Sequence, residues 1–167
     1  MQKKVLSEID LHYGKINMPK GFEIDRDKLQ SDILSSNLKN STFPFSREWD
    51  KLNTYMRANV NAEHGFVLVN KETWGNTYKP KEISIPLLNI DPVDLRNSPD
   101  YTFLYGVNVK ECSVRIHYDD NRRAGRNWDI PLENNDFIMF PSTCMYYLTN
   151  TQKDSLNFVQ TIMYEYI

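Results

Sequence analysis

The chain has 167 residues, a formal net charge of -2 and 13% aromatic residues. This length is enough for one domain with a substantial core, and the small net charge argues against a partner held by charge alone, such as nucleic acid or an anionic membrane surface. No apolar run reaches transmembrane length and the N-terminus lacks a signal peptide's apolar stretch, so we expect a cytoplasmic protein of one domain, residues 1–167.

The N-terminal part of the chain, to about residue 64, is predicted to be helical. Asp25 is a suitable N-cap for a helix from about Arg26 to Leu38, and Ser46 for a second helix that ends near Asn61. Apolar residues recur in the second helix at the spacing of one helix face. We interpret them as core residues: Trp49, Leu52, Met56 and Val60.

From about residue 65 onward the pattern changes to that of β-strands. Phe66–Val69 is predicted to be a buried strand, and runs of β-branched and aromatic residues then alternate with turn clusters such as Asn97–Asp100 and Glu133–Asp136. We expect about eight strands between Phe66 and Ile167, with Ile116, Ile138 and Phe158 helping to fill the barrel interior or the interface between sheet and helices. Two helices followed by many short strands favour helices packed on the outside of a β-sandwich or barrel.

Four segments of the predicted strand region carry a family resemblance. They are, in chain order, Trp74-Gly75-Asn76-Thr77-Tyr78, Tyr105–Val109, Val114–Asp119 and Phe140-Pro141-Ser142. The ordered set resembles phage-type members of the 2-oxoglutarate and Fe(II) dependent oxygenases. The resemblance implies a mainly β fold, a double-stranded β-helix (a jelly-roll or cupin-like barrel) with the N-terminal helices packed on one sheet. It also implies a pocket lined by Trp74, Asn76, Tyr78 and Ser155.

The resemblance also assigns the metal-ligand positions. A non-haem Fe(II) oxygenase binds iron through two His and one carboxylate, and a basic residue near the start of the last strand holds 2-oxoglutarate. The first pair of ligands falls on Asn89 and Asp91 or, shifted by two residues, on Leu87 and Asn89. The second His position falls on Tyr146, and the basic position falls near Ser155. Neither register supplies a His, and the chain from Ser155 to its end contains no Lys or Arg.

His117 and Asp119 form an alternative metal pair, because two residues of spacing place both side chains on one face of a strand. A third ligand would come from His12 or His64, which are distant in sequence. The plainer interpretation is a partly exposed His and an Asp at the end of a strand that turns into an Arg-containing loop. The carboxylates around that loop offset its charge, which again argues against nucleic acid.

Two functions from different classes remain open. The first is an oxygenase relative with an atypical metal site, which would use Fe(II) and 2-oxoglutarate. The second is a non-catalytic binding, virion or assembly protein with the same fold, with no cofactor expected, and the missing imidazoles favour it. A phage-encoded protein would be located in the host cytoplasm or in the virion, and the partner classes left open are another protein and a second copy of this chain. Cys112 and Cys144 are expected to be reduced thiols.

Overall fold

A computed structural model describes residues 2–5, 8–39, 47–65, 67–121 and 124–167. This part of the chain forms eight β-strands, two α-helices and one short 3₁₀ helix, Leu95–Asn97. The two helices are α1 (Arg26–Lys39) and α2 (Arg47–His64). The strands are β1 (His12–Lys15), β2 (Leu68–Tyr78), β3 (Tyr101–Asn108), β4 (Cys112–Asn121), β5 (Ala124–Leu132), β6 (Asp136–Pro141), β7 (Met145–Asn150) and β8 (Asn157–Tyr166).

The strands form two sheets that pack as a double-stranded β-helix, which confirms the predicted fold. The large sheet has the order β1-β6-β3-β8-β2 and the small sheet the order β5-β4-β7. Their strand pairs are antiparallel. Single bridges from Ile83 to Thr149 and from Leu87 to Tyr146 extend the small sheet beyond β7.

One strand lies where only helix was expected. β1 belongs to the N-terminal part of the chain and pairs with β6, with His12 opposite Met139. As a result, seven of the described strands follow residue 65, where the sequence suggested about eight. A four-residue strand has little pattern of its own, and its pairing partner is more than a hundred residues away.

The helices begin close to where the sequence predicts. The carboxylate of Asp25 accepts a hydrogen bond from the Lys28 N–H at 3.0 Å, so Asp25 caps α1. The predicted cap of the second helix, Ser46, lies outside the described residues, as does Phe66 at the start of the predicted strand. In the part of the chain that the structure covers, neither helix is long and apolar enough to cross a membrane.

The alternation of side chains across the large sheet produces two cores. One core lies between this sheet and the helices and includes Leu29, Ile33, Leu52, Met56, Phe103 and Phe158. The other lies between the two sheets and includes Leu104, Val114, Ile116, Ile138, Leu148 and Val159. The expected burial of Ile116, Ile138 and Phe158 is confirmed.

Candidate functional site

Small polar side chains line one end of the space between the sheets. Thr161 pairs with Leu104, a residue of the core between the sheets, so both side chains face the interior. Asn76 donates a hydrogen bond from Nδ2 to Thr161 Oγ1 at 3.2 Å. Thr102 Oγ1 and Ser142 Oγ lie 3.0 Å apart. We call this end the barrel mouth, because the loop from residue 89 to residue 100 crosses it between Leu87 and β3.

The structure brings Asn89 and Tyr146, two of the positions that the resemblance assigns to metal ligands, into direct contact. Leu87 and Tyr146 exchange two backbone hydrogen bonds of 2.9 and 3.0 Å, so Asn89, two residues further on, lies close to the start of β7. Asn89 Nδ2 then donates to Tyr146 Oη at 2.9 Å and to Thr102 Oγ1 at 3.2 Å. Tyr146 is only 2% exposed, and its ring meets that of Phe140 edge-on at 5.1 Å.

A cavity of about 260 Å³ opens at the barrel mouth beside Asn89. Trp74, Asn89 and Asp91 line it together with Lys71, Glu72, Asn97, Ser98, Pro99 and Met163. Lys71 was not predicted as a site residue. Its ammonium group lies 3.2 Å from a carboxylate oxygen of Glu165 and donates to the Asn97 carbonyl. A bulge between Asn70 and Glu72 breaks the alternation of β2, so the sequence pattern did not place Lys71 in this cavity.

Three of the four predicted pocket residues, Asn76, Tyr78 and Ser155, do not line this cavity. Tyr78 is buried at the far end of β2, where it pairs with Asn157, and burial raises the pKa of its phenol strongly. Ser155 lies in the loop before β8 and donates from Oγ to Gln152 Oε1 at 2.5 Å. No described residue of β8, the strand expected to hold a co-substrate carboxylate, is a Lys or an Arg.

The residues at the assigned positions do not fit Fe(II). Asn89 turns its N–H groups, which cannot ligate a metal, toward Tyr146 and Thr102, and its other polar atom is a neutral amide oxygen in place of an imidazole nitrogen. Burial raises the pKa of Tyr146, partly offset by the hydrogen bond from Asn89, so its phenol is neutral near pH 7. Asp91 is exposed, and its Oδ1 accepts the Val93 N–H at 2.9 Å. This set lacks the imidazoles and leaves one carboxylate as an ordinary ligand.

The alternative pair, His117 and Asp119, lies on the outer face of the small sheet. Ile116 points into the core between the sheets, so its neighbour His117 points away from it. The His117 ring contacts Tyr147 edge-on at 5.1 Å, and His12 belongs to the other sheet. Among the described residues, no three His, Cys, Asp or Glu side chains form a group that could hold a metal ion.

A second cavity, of about 340 Å³, lies between the N-terminal segment and the open side of the two sheets. Its lining is largely apolar and aromatic, with one acidic and one basic side chain: Ile9, Asp10, Leu11, Ile116, Tyr118, Arg126, Trp128, Phe140, Pro141 and Cys144. Phe140, which lines this cavity, is in ring contact with Tyr146. The pKa of the buried Cys144 thiol is raised by burial, which favours an inert thiol.

No family model and no curated protein matches this sequence. Solved structures do match. A prolyl-4-hydroxylase from Pseudomonas putida is similar with a TM-score of 0.64 and 11% identity, over 93% of this chain and 87% of that chain. The viral collagen prolyl hydroxylase of Paramecium Bursaria Chlorella virus-1, in its 2OG complex, gives 0.62 and 15%, over 93% and 96%.

A third similar structure is HygX from Streptomyces hygroscopicus with nickel and 2-oxoglutarate bound, with a TM-score of 0.63 and 9% identity over 93% of this chain and 82% of that chain. The chain therefore has the double-stranded β-helix fold of the 2-oxoglutarate and Fe(II) dependent oxygenases. At these identities the similarity shows the fold alone, and the activity has to be argued from the site.

Proposed function

We propose that this protein uses the oxygenase-like barrel as a non-catalytic binding or assembly module. The observation that carries the proposal is the hydrogen bond from Asn89 to Tyr146, which joins two positions assigned to metal ligands. This hydrogen bond gives the amide N–H and the phenol oxygen a partner without a metal ion. In an active site of this class the same two positions would present imidazole nitrogens to iron.

The missing co-substrate anchor supports the same conclusion. A charge-assisted hydrogen bond from a basic residue is worth on the order of 1.5–3 kcal/mol, and β8 has no such residue. Lys71, the basic side chain at the barrel mouth, is engaged by Glu165 and the Asn97 carbonyl. Both imidazoles and the anchor are missing, and the two losses reinforce each other, because 2-oxoglutarate itself chelates the iron in such enzymes.

The proposed biological setting is a phage protein, in the virion or in its assembly. This part of the proposal rests on the sequence resemblance, above all on the Trp74–Tyr78 segment and on Phe140-Pro141-Ser142. A fold used for binding keeps its barrel and its surface while its catalytic positions change.

A succinate assay tests the absence of catalysis. The protein is incubated with Fe(II), ascorbate and 2-oxoglutarate, and succinate is compared with that of a metal-free sample, with an active prolyl hydroxylase as the positive control. We expect no succinate above the metal-free level. Succinate above that level would overturn the proposal, and loss of that activity in His117→Ala would identify the ligands as the outer-face pair.

A gain-of-function variant sharpens the test. In Asn89→His/Tyr146→His, the two imidazoles join Asp91 at the barrel mouth. Equilibrium dialysis with Mn(II), a stand-in for Fe(II), should show binding to this variant and not to the unchanged protein. Leu34→His/Leu156→His, which adds two imidazoles at exposed positions away from the barrel mouth and from His117, is the matched control. Equal metal binding by the unchanged protein and the double variant would contradict the proposal.

A further inference from the structure

The segment from Glu82 to Leu88 forms an uncovered edge of the small sheet. On its inner side, Ser84 N–H donates to Leu148 O at 2.8 Å, and Leu87 N–H donates to Tyr146 O at 2.9 Å. The N–H groups of Ile83 and Ile85 make no hydrogen bond to any described residue. A strand with one paired and one unpaired side is a template for another strand.

The side chains of this edge are unusually apolar for an exposed position. Ile83, Ile85 and Leu88 are 69%, 76% and 41% exposed. No charged residue occurs between Glu82 and Asp91. The other sheet edges carry charges, which protect an edge from pairing: Lys15 on β1, Lys71 and Glu72 on β2, and Arg126 and Asp129 on β5.

We propose that this edge is the dimer interface of the protein, with the Glu82–Leu88 segments of two copies paired antiparallel about a twofold axis. With the axis at Ser84, Ile83 of one copy lies opposite Ile85 of the other, and each N–H donates to a carbonyl of the partner strand. The Ile85 carbonyl already accepts the Ser84 hydroxyl at 2.9 Å, and its second lone pair accepts the partner's N–H. Pro86 has no N–H, and this register requires none from it. The exposed isoleucines of both copies then form the apolar centre of the interface.

The charged residues on either side of this edge are complementary to those of a second copy, which favours self-association over pairing with an unrelated strand. The exposed Lys79 and Lys81 precede the apolar stretch, and the exposed Asp91 and Asp94 follow it. A twofold axis through the stretch brings the lysine end of each copy toward the aspartate end of the other. A segment that is complementary to itself in this way meets the requirement of an isologous interface. The proposal concerns the sheet edge and does not depend on the chemistry of the barrel.

Light scattering after size exclusion, over a series of concentrations, tests the dimer. We expect roughly twice the chain mass for the unchanged protein and a monomer for Ile85→Lys, whose charge would be buried at the axis. Tyr13→Lys is the matched control, because Tyr13 is an exposed apolar residue on the β1 edge and should leave the dimer intact. A monomer at every concentration, or a dimer that survives Ile85→Lys, would overturn the proposal.

A charge exchange tests the same interface without changing its apolar centre. Lys79→Glu/Lys81→Glu and Asp91→Lys/Asp94→Lys should each be monomeric alone, since like charges then meet. Mixed together, they should form a heterodimer by native mass spectrometry, because opposite charges face each other again at both ends. Circular dichroism first establishes that each variant is folded. Folded variants that stay dimeric alone, or fail to pair when mixed, would refute the antiparallel arrangement.

Discussion

At the scale of single residues, the Asn89 amide ties the loop at the barrel mouth to the strands beneath it. Its two hydrogen bonds reach β7 through Tyr146 and β3 through Thr102, so one side chain links the mouth loop to both sheets. Both partners are buried.

The hydroxyl of Tyr146 should therefore contribute measurably to stability. Tyr146→Phe removes the acceptor of the 2.9 Å hydrogen bond and leaves one N–H of Asn89 without its partner. We expect the free energy of unfolding to fall by about 1–2 kcal/mol, measured by urea unfolding followed by tryptophan fluorescence.

Tyr147→Phe is the control for that measurement. The Tyr147 hydroxyl donates to the weak acceptor Met145 Sδ, at 3.8 Å on the outer face of the small sheet. Its loss should change the stability by no more than about 0.5 kcal/mol. Equal effects of the two substitutions would show that Asn89 and Tyr146 do not stabilise the barrel mouth.

At the scale of elements, a carboxylate ties the start of α2 to the start of α1. Glu48 accepts the Asp25 N–H at 2.8 Å and lies 2.9 Å from the Lys51 ammonium. Burial acts to raise the pKa of Glu48, but the Asp25 N–H and the Lys51 ammonium outweigh it, so the pKa is lowered. Because Asp25 is the N-cap of α1, Glu48 fixes the cap that begins the helix.

Glu48→Gln should lower stability in a pH-dependent way. A lowered pKa in the folded state stabilises the protein above the unfolded pKa of about 4.3, and this contribution is lost as the pH falls through the folded pKa. We expect the free energy of unfolding to fall by about 1–3 kcal/mol at pH 7, and this loss should shrink as the pH falls below about 4. Urea unfolding at each pH would measure it.

Asp50→Asn controls for the loss of a negative charge in the same first turn. Asp50 is exposed, so its substitution should have a smaller effect at pH 7. The role of the ionised carboxylate would be contradicted if the free energies of unfolding of Glu48→Gln and the unchanged protein differed by the same amount from pH 7 down to acid pH.

At the scale of the whole molecule, Gly75 lies where the helical layer packs against the large sheet. A Cβ built at this position would lie 2.2 Å from Cγ1 of Ile33, a residue of α1 with no exposed surface. The absence of a side chain on β2 thus lets α1 rest on the sheet. The resemblance drew attention to this glycine as part of the Trp74–Tyr78 segment, and the structure gives it a packing role.

Gly75→Ala should destabilise the protein by about 1–3 kcal/mol, because the added methyl group overpacks the layer. Thermal and urea unfolding would measure the change. In an Ile33→Ala background the same substitution should cost less, since the side chain that it meets is gone.

Gly14→Ala is the matched control on another strand of the same sheet. The nearest atom to a Cβ at Gly14 is 3.8 Å away, an ordinary contact. That substitution should be close to neutral. If both variants lost a comparable amount of stability, the destabilisation would come from placing alanine in a strand and not from the contact between the sheet and the helices.

The sequence determined the elements that local patterns encode. The Asp25 cap, the helical spacing of Leu52, Met56 and Val60, and the alternation around Ile116 and Ile138 are set by residues a few positions apart, and each was confirmed. The order of these segments was enough to predict the double-stranded β-helix. It also led to Asn89 and Tyr146, two residues that the structure places in contact.

Only the tertiary structure decided the features that depend on distant pairing or on breaks in a pattern. β1 is a strand because β6 pairs with it, and Lys71 reaches the barrel mouth because a bulge in β2 shifts the alternation. His117 and Asp119 have the spacing of ligands, yet which face they occupy depends on which neighbours meet the core. A strand's period says which residues share a face, and the packing of the two sheets decides which of its faces is inside.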